Sequence, residues 1–299
     1  MVIEVNGISK SYSGRKVVNN VSFSAKAGKA LGLLGRNGAG KTTTIRILMN
    51  VIYPECGGVT LDGKPIDYDR IRIGYLPEER GLYAKKEIFE QLVYFAELKG
   101  SSKTDAARSV DEWLKRLGIH EYRNRKLETL SKGNQQKVQL ITALAHDPRI
   151  IILDEPFSGL DPVNAMLLKK IIREQIAKGK VVIFSSHQMN YIEEFCDDIA
   201  IMNKGSIALY GNLREIKRSY PGTKLLVRSD RPEDILKEFG ADCRWYDREL
   251  LQITLHSPES KKETMKKLVD LFDPDEIRIY EPSLNDIFIE YTQEAERVK

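Results

Sequence analysis

Cysteine is scarce in this chain. Cys56, Cys196 and Cys243 stand alone among 299 residues, with no paired spacing, so neither a disulfide framework nor a zinc site is expected. His120, His146, His187 and His256 do not fall at metal-ligand intervals either. No stretch approaches the roughly 20 consecutive apolar residues that a bilayer-spanning helix needs. The opening Met1-Val2-Ile3-Glu4-Val5 carries none of the parts of a secretory signal. A cytoplasmic chain is expected, with any membrane role exercised through a partner. A sustained heptad repeat is also missing, which excludes a long coiled coil.

What is present describes a globular protein. Hydrophobic residues make up 41% and charged residues 30%, enough to bury a core, and the length suggests about two domains. The net charge of +4 hides an asymmetry. Residues 222–299 hold 13 Lys and Arg against 18 Asp and Glu, leaving 34 against 25 in the remainder. A basic first part suits a phosphate ligand or an anionic surface, and an acidic second part argues against nucleic acid there.

Short strands are expected at Val2–Val5, Val17–Ser24 and Ala30–Leu34, with Ala27-Gly28-Lys29 as a turn. A helix over Thr42–Asn50, a hairpin over Gly58–Lys64 turning at Asp62-Gly63, and a strand at Arg72–Tyr75 follow. From Pro77 to Pro148 the apolar spacing becomes helical. Ile150–Leu153 and Val181–Ser185 read as buried parallel strands around a helix at Val163–Lys178. Ser219-Tyr220-Pro221-Gly222 reads as a linker. Beyond it lie strand Lys224–Ser229, helix Pro232–Phe239, strands Asp242–Tyr246 and Leu250–Leu255, helix Pro258–Phe272, strand Glu276–Tyr280 and helix Leu284–Ala295. The β-α-β-β-α-β order predicts a small α+β, ferredoxin-like module.

Gly35-Arg36-Asn37-Gly38-Ala39-Gly40-Lys41-Thr42 fits G-x-x-x-x-G-K-[ST] between an apolar strand and a helix. Glycines let backbone N–H groups of Asn37, Gly38, Ala39, Gly40 and on to Thr43 approach a phosphate, and the helix N-terminus favours its charge. Lys41 is placed to neutralise the β- and γ-phosphates and Thr42 to ligate Mg²⁺. Ile150-Ile151-Ile152-Leu153-Asp154-Glu155 ends an apolar strand in two carboxylates. If that strand lies beside the P-loop strand, Asp154 reaches the magnesium and Glu155 polarises an attacking water. A guanine-reading Asn-Lys-x-Asp is absent, because Asn203-Lys204-Gly205-Ser206 lacks the Asp.

Leu130-Ser131-Lys132-Gly133-Asn134-Gln135-Gln136 resembles the L-S-G-G-Q signature of ABC ATPases, and the resemblance runs over residues 1–217. It implies an α/β P-loop NTPase core: a RecA-like sheet, an antiparallel β piece, and a helical subdomain at about 79–149 within a domain of residues 1–218. Residues 224–299 form the accessory domain. By the same resemblance Ser158-Gly159-Leu160-Asp161 is the D-loop, His187 the switch histidine on the γ-phosphate, and Tyr12 the adenine-stacking aromatic. Ser131, Lys132, Gly133, Asn134 and Asp161 then face the ATP held by a second subunit. Tyr12 also suits packing at a strand end, and Ser131 and Asp161 suit simple helix caps, Asp161 ahead of Pro162.

Two departures stand out. Lys132 and Asn134 replace Gly and Gln of the signature, and Glu78 replaces the glutamine that ligates Mg²⁺. Together with Gly74–Tyr83 and Glu281–Phe288 they resemble ATPase subunits of prokaryotic ABC-2-type exporters, the sodium- and drug-efflux group. That implies ATP and Mg²⁺ as ligands and dimerisation. It also implies docking of a separate membrane permease on Glu78–Lys99, and a location on the cytoplasmic face of the membrane. The competing reading is a non-transport ABC ATPase acting on nucleic acid or ribosomes.

Overall fold

The apolar runs Ala30–Gly35 (β3), Ile150–Asp154 (β7) and Val181–Ser185 (β8) are buried at every position, as strands covered on both faces must be. In the computed structural model, which describes residues 1–78, 81–220 and 222–297, they meet in one six-stranded sheet of order β10-β9-β3-β8-β7-β6. Here β6 is Ile73–Leu76, β9 Asp198–Asn203 and β10 Ser206–Asn212. Only β10 runs antiparallel, against β9. One expectation needs correction: β7 does not lie beside the P-loop strand. β8 is inserted between β3 and β7, because Val181–Ser185 is as apolar as they are and pairs with both. Glu79 and Arg80, where the helical arm was expected to begin, and Pro221 of the expected linker lie outside the described residues.

The chain divides into two units, Met1–Leu213 with Phe288–Lys299, and Arg214–Ile287. In the first, an antiparallel sheet of order β2-β1-β4-β5 packs its apolar face onto the core. Its strands are β1 (Val2–Tyr12), β2 (Arg15–Lys26), β4 (Cys56–Leu61) and β5 (Lys64–Pro65). Ile3, Val5, Ile8, Val21 and Phe23 meet Leu31, Leu33, Ile45 and Ile183 there. Each such side chain contributes roughly 1.5–3 kcal/mol by leaving water. Ser13-Gly14, Asp62-Gly63 and Lys204-Gly205 all take positive φ at both residues, the geometry of two-residue hairpin turns. The last of these makes Asn203–Ser206 a β-turn joining β9 to β10, a hairpin that sequence reading did not anticipate.

The helical region holds α2 (Ile88–Leu98), α3 (Lys103–Arg116) and α4 (Lys132–Leu144). Ser102 caps α3 by accepting from the Asp105 N–H at 3.1 Å, and Ser131 caps α4 from the Asn134 N–H at a long 3.4 Å. Strand β6 presses against the end of α4, where a Cβ on Gly74 would lie 2.0 Å from the Ala143 carbonyl oxygen. Only glycine allows that approach. The second unit has β11 (Lys224–Arg228), α8 (Pro232–Phe239), β12 (Cys243–Trp245), β13 (Leu251–Thr254), α9 (Lys261–Phe272) and β14 (Glu276–Ile279). Its order β12-β13-β11-β14, antiparallel throughout, is the ferredoxin-like arrangement. Pro258–Ser260 forms a 3-10 turn, so α9 begins later than its sequence signal. A reciprocal cap starts α10 (Leu284–Arg297): Asp286 N–H donates to Ser283 Oγ at 3.2 Å, and Ser283 N–H donates to the Asp286 carboxylate at 2.9 Å.

His146 is buried where α4 meets β6, its Nε2 3.2 Å from the Ile73 carbonyl. Burial lowers its pKa from 6.5 to about 4, against the pull of that hydrogen bond. The folded chain thus holds His146 neutral where the unfolded chain protonates it. The resulting stability is complete above pH 6.5 and declines as pH falls toward 4, a loss of about 3 kcal/mol across that window. Replacing His146 with Gln is expected to flatten the fall in melting temperature between pH 6.5 and 4, measured by calorimetry; an unchanged slope would refute it.

Candidate functional site

Strand β3 ends at Gly35 and α1 (Lys41–Leu48) opens at Lys41, with the P-loop between them. Gly38 and Gly40 take φ of 78° and 102°, open to glycine and strained for other residues. Crowding fixes two glycines as well: a Cβ on Gly40 would lie 2.7 Å from the Val17 carbonyl, and one on Gly35 2.8 Å from that of Met202. Lys41 is buried, and its ammonium donates to the Gly35 carbonyl at 2.7 Å. Helix N-terminus, loop amides and ammonium together make an anion cradle. Thr42 stands exposed beside it and Thr43 half-buried.

The parallel register sets Asp154 opposite Ser185, and the Ser185 hydroxyl donates to the Asp154 carboxylate. Burial raises the Asp154 pKa; the Ser185 bond opposes this and the neighbouring Glu155 charge adds to it. Tyr75, on β6, is pushed up to about 12 by burial and then by the Asp154 charge. The charge of Glu78 also acts on Tyr75, while Glu78 itself is exposed beyond β6.

Glu155 takes φ of 50°, a left-handed conformation that costs about 1–3 kcal/mol in a residue with a side chain. Its surroundings hold it there. Its N–H donates to the Ser185 carbonyl at 3.0 Å and its carbonyl accepts from Ser158 N–H at 3.1 Å. One carboxylate oxygen accepts from the His187 N–H at 2.9 Å and sits 2.8 Å from His187 Nδ1. The other accepts from Ser186 Oγ at 3.2 Å. The Glu155 side chain is 7% exposed and that of His187 63%, so a shielded carboxylate is paired with an imidazole reaching outward. That pair is able to accept and pass a proton.

A second group lies at the starts of α4 and α5 (Pro162–Ala177). Asp161 caps α5, accepting from Asn164 N–H at 2.9 Å. A Cβ on Gly133 would lie 3.4 Å from Asn164 Nδ2. Ser131 and Lys132 are exposed, Gly133 and Asn134 half-buried. None of these lines the cavity beside the P-loop, which is walled by Arg15, Lys16, Arg36, Asn37, Asn203 and Thr292, among others. Tyr12, 47% exposed, ends β1 with Lys10 Nζ 5.9 Å from its ring centre.

Sequence reading missed Arg15, Lys16, Arg36, Asn203, Lys204 and Thr292 as cavity residues. The basic ones flank the β1–β2 turn and the P-loop and were findable by charge. Thr292 was not, because α10 reaches the cavity only through the fold, with Asn203 Nδ2 donating to the Tyr291 carbonyl at 3.2 Å.

A parallel sheet with a P-loop after β3 and an Asp-Glu end on β7 defines a P-loop nucleoside-triphosphate hydrolase. The ABC transporter family matches residues 18–158, and the C-terminal domain of DrrA1-3-like ATP-binding proteins matches residues 211–292. The ABC transporter ATP-binding protein YhaQ of Bacillus subtilis (strain 168) is 39% identical over 97% of this chain and 98% of its own. The Nod factor export ATP-binding protein I of Burkholderia orbicola (strain AU 1054) is 30% identical over 90% of this chain and 86% of its own. The dimeric structure of a bacterial ABC transporter cassette superposes with a TM-score of 0.64 at 25% identity, covering 71% of this chain and 99% of that one. This chain belongs to the ABC transporter ATP-binding family. It is an ATP-binding, ATP-hydrolysing transport subunit, and such cassettes act as dimers with membrane subunits.

The raised Asp154 pKa has a stability consequence. The folded state binds that proton more tightly than the unfolded state, so the contribution is full below the unfolded value of 3.8 and is lost as pH rises from there through the folded pKa. Asp154→Asn keeps an acceptor for Ser185 and is expected to raise the melting temperature of the nucleotide-free chain by a few degrees at pH 7.5, with less gain below pH 3.8, where the carboxyl is protonated in both states. A lower melting temperature at pH 7.5 would contradict this.

Proposed function

We propose that this chain powers an exporter, hydrolysing MgATP at a composite site shared by two subunits. The observation carrying this reading is the Glu155–His187 pair, at 2.8 Å, set at the strand ends of the sheet that bears the P-loop. The triphosphate lies on Gly35 and Asn37 to Thr43 with Lys41 between the β- and γ-phosphates, and adenine stacks on Tyr12. Glu155 takes a proton from the attacking water, and His187 fixes the Glu155 carboxylate and reaches the γ-phosphate.

The oxygens of Thr42 and Asp154, joined by Glu78, suit Mg²⁺, which prefers one or two carboxylates plus substrate phosphates to an all-protein cage. When bound, Mg²⁺ neutralises charge on the β- and γ-phosphates.

Support for the shared site comes from Gly133. Its φ is not left-handed and a Cβ there would make only ordinary contact, so the fold of one chain does not require glycine. Bare backbone at Gly133, with Ser131, Lys132, Asn134 and Asp161, suits close approach to the ATP of the second subunit.

The membrane permease docks on the cavity of the helical region, lined by Tyr83, Phe89, Val93 and Tyr94 together with Lys86 and Glu97. Buried Gln91 secures the edge, accepting from Tyr83 N–H at 3.2 Å and donating to the Lys86 carbonyl at 3.3 Å. No helix among the described residues is long and apolar enough to cross a membrane, so docking holds this subunit at the cytoplasmic face. On this reading residues 1–218 are the ATPase domain, with helical subdomain 79–149, and 224–299 the accessory domain, although the chain from Phe288 clusters with the first unit.

Glu155→Gln is expected to cut ATPase activity about 10²–10⁴-fold and to leave an ATP-dependent dimer on gel filtration; hydrolysis at the wild-type rate excludes Glu155 as the base. Adding Gly133→Ala to Glu155→Gln is expected to abolish that dimer while the melting temperature of the monomer holds or rises slightly and its ATP affinity stays unchanged. Persistence of the dimer would sink the shared-site reading.

A further inference from the structure

Two residues beyond Glu155 the chain places Phe157, which is buried and reappears in no step above. Its ring lies flat on Tyr191, with centroids 3.9 Å apart and planes 17° apart. Tyr191 belongs to α6 (Met189–Phe195), the helix that starts just after His187. Phe195 of the same helix sits 5.9 Å from Phe157 and 5.9 Å from Phe184 of β8, and Phe184 stacks on Phe157 at 6.3 Å. Four aromatic rings therefore join the segment that carries Glu155, the strand beneath it and the helix that carries His187 in its lead.

The outer side of this stack is tied to α5, which Asp161 caps. Glu194 of α6 pairs with Lys169 and, at 2.6 Å, with Arg173. Lys169 also lies 5.0 Å from the centre of the Tyr191 ring, and Arg173 5.2 Å from that of Phe195. The left-handed backbone at Glu155 persists only because its surroundings over-determine it, and its hydrogen bonds all run to Ser158 and to Ser185–His187. A single-residue shift of either segment would separate the carboxylate from the imidazole.

We propose that Tyr191 is a positioning residue for hydrolysis: its stacking on Phe157 locks the Glu155 segment to the His187 helix, and so sets the geometry of the proton-accepting pair. Tyr191 has no part in the nucleotide contacts proposed above. It acts through the two residues on either side of the stack, and the ring face, rather than the hydroxyl, is what does this. The proposal rests on the roles given to Glu155 and His187 above.

The experiment is steady-state phosphate release, with ATP affinity measured separately, for Tyr191→Phe, Tyr191→Leu, His187→Ala and the Tyr191→Leu/His187→Ala double variant of the full chain. Tyr191→Leu keeps the apolar contact and loses the flat stack. Its kcat is expected to fall about tenfold or more, since small misplacement of a catalytic group is costly, while KM and ATP affinity stay within about twofold. Tyr191→Phe is expected to retain wild-type kcat. In the His187→Ala background Tyr191→Leu should cost less than about twofold further, because the two losses act on one pair. Tyr191→Leu with wild-type kcat overturns the proposal, as does full additivity with His187→Ala, or failure of Phe to replace Tyr. If Tyr191→Leu does not fold, Phe157→Leu breaks the same stack and is read by the same criteria. An active His187→Ala would instead defeat the underlying assignment of that residue.

Discussion

The site depends on the parallel register of β7 against β8, which sets Asp154 beside Ser185. From that pairing the next residues follow. Glu155 continues from β7 and Ser186 and His187 continue from β8, so the carboxylate finds its backbone and side-chain donors on the adjacent strand end. A slip by one residue would turn both carboxylates to the opposite face. The apolar run Val181–Phe184 prevents this, because a slip would also lift side chains out of a sheet buried on both faces. Packing of the strand and chemistry at its end are fixed by the same register.

Two costs are stored at that strand end. Burial works against the charge of Asp154, and Glu155 holds a left-handed backbone. Neither helps the fold. Lys41 and Arg46 offset part of the charge at Asp154, and the hydrogen bonds that Glu155 donates to the Ser185 carbonyl and accepts from His187 offset the backbone strain. Stability given up locally is ordinary at sites that must meet a charged ligand, and here it is carried by a sheet with a large apolar core behind it.

The parts of the fold easiest to read were those where one physical signal acted alone. Ile150–Leu153 is wholly apolar and Val181–Ser185 is apolar up to its final serine, and Gly35–Thr42 combined a strand, glycines and a helix start. Pattern failed where a segment served two purposes. Val2–Val5 was read as a short strand, but β1 runs on to Tyr12 through register shifts that erase the alternation. Asn203–Ser206 was weighed only as a guanine-reading element, and its Lys-Gly hairpin turn passed unnoticed. The order of strands was not legible at all: nothing in the sequence says that the β8 run enters between the β3 and β7 runs. The Glu155–His187 contact followed from that order and so was hidden with it.

Lys132 and Gly133, departures or fixtures of a short motif in the sequence, gain a physical meaning from α4. A lysine at the first position of a helix opposes the helix dipole, which favours anions there. A glycine in the first turn weakens the helix by up to about 1 kcal/mol relative to alanine. The Ser131 cap that should compensate is long, at 3.4 Å, and no acidic residue stands in the first turn. Taken alone, the N-terminus of α4 is therefore poorly made. On the proposed shared site, the same features suit an N-terminus that receives a polyphosphate from outside the chain: a cation and a glycine with no side chain. On that reading the defect of one subunit is the complement of the other, and the helix reaches its best electrostatic state when the partner brings its nucleotide.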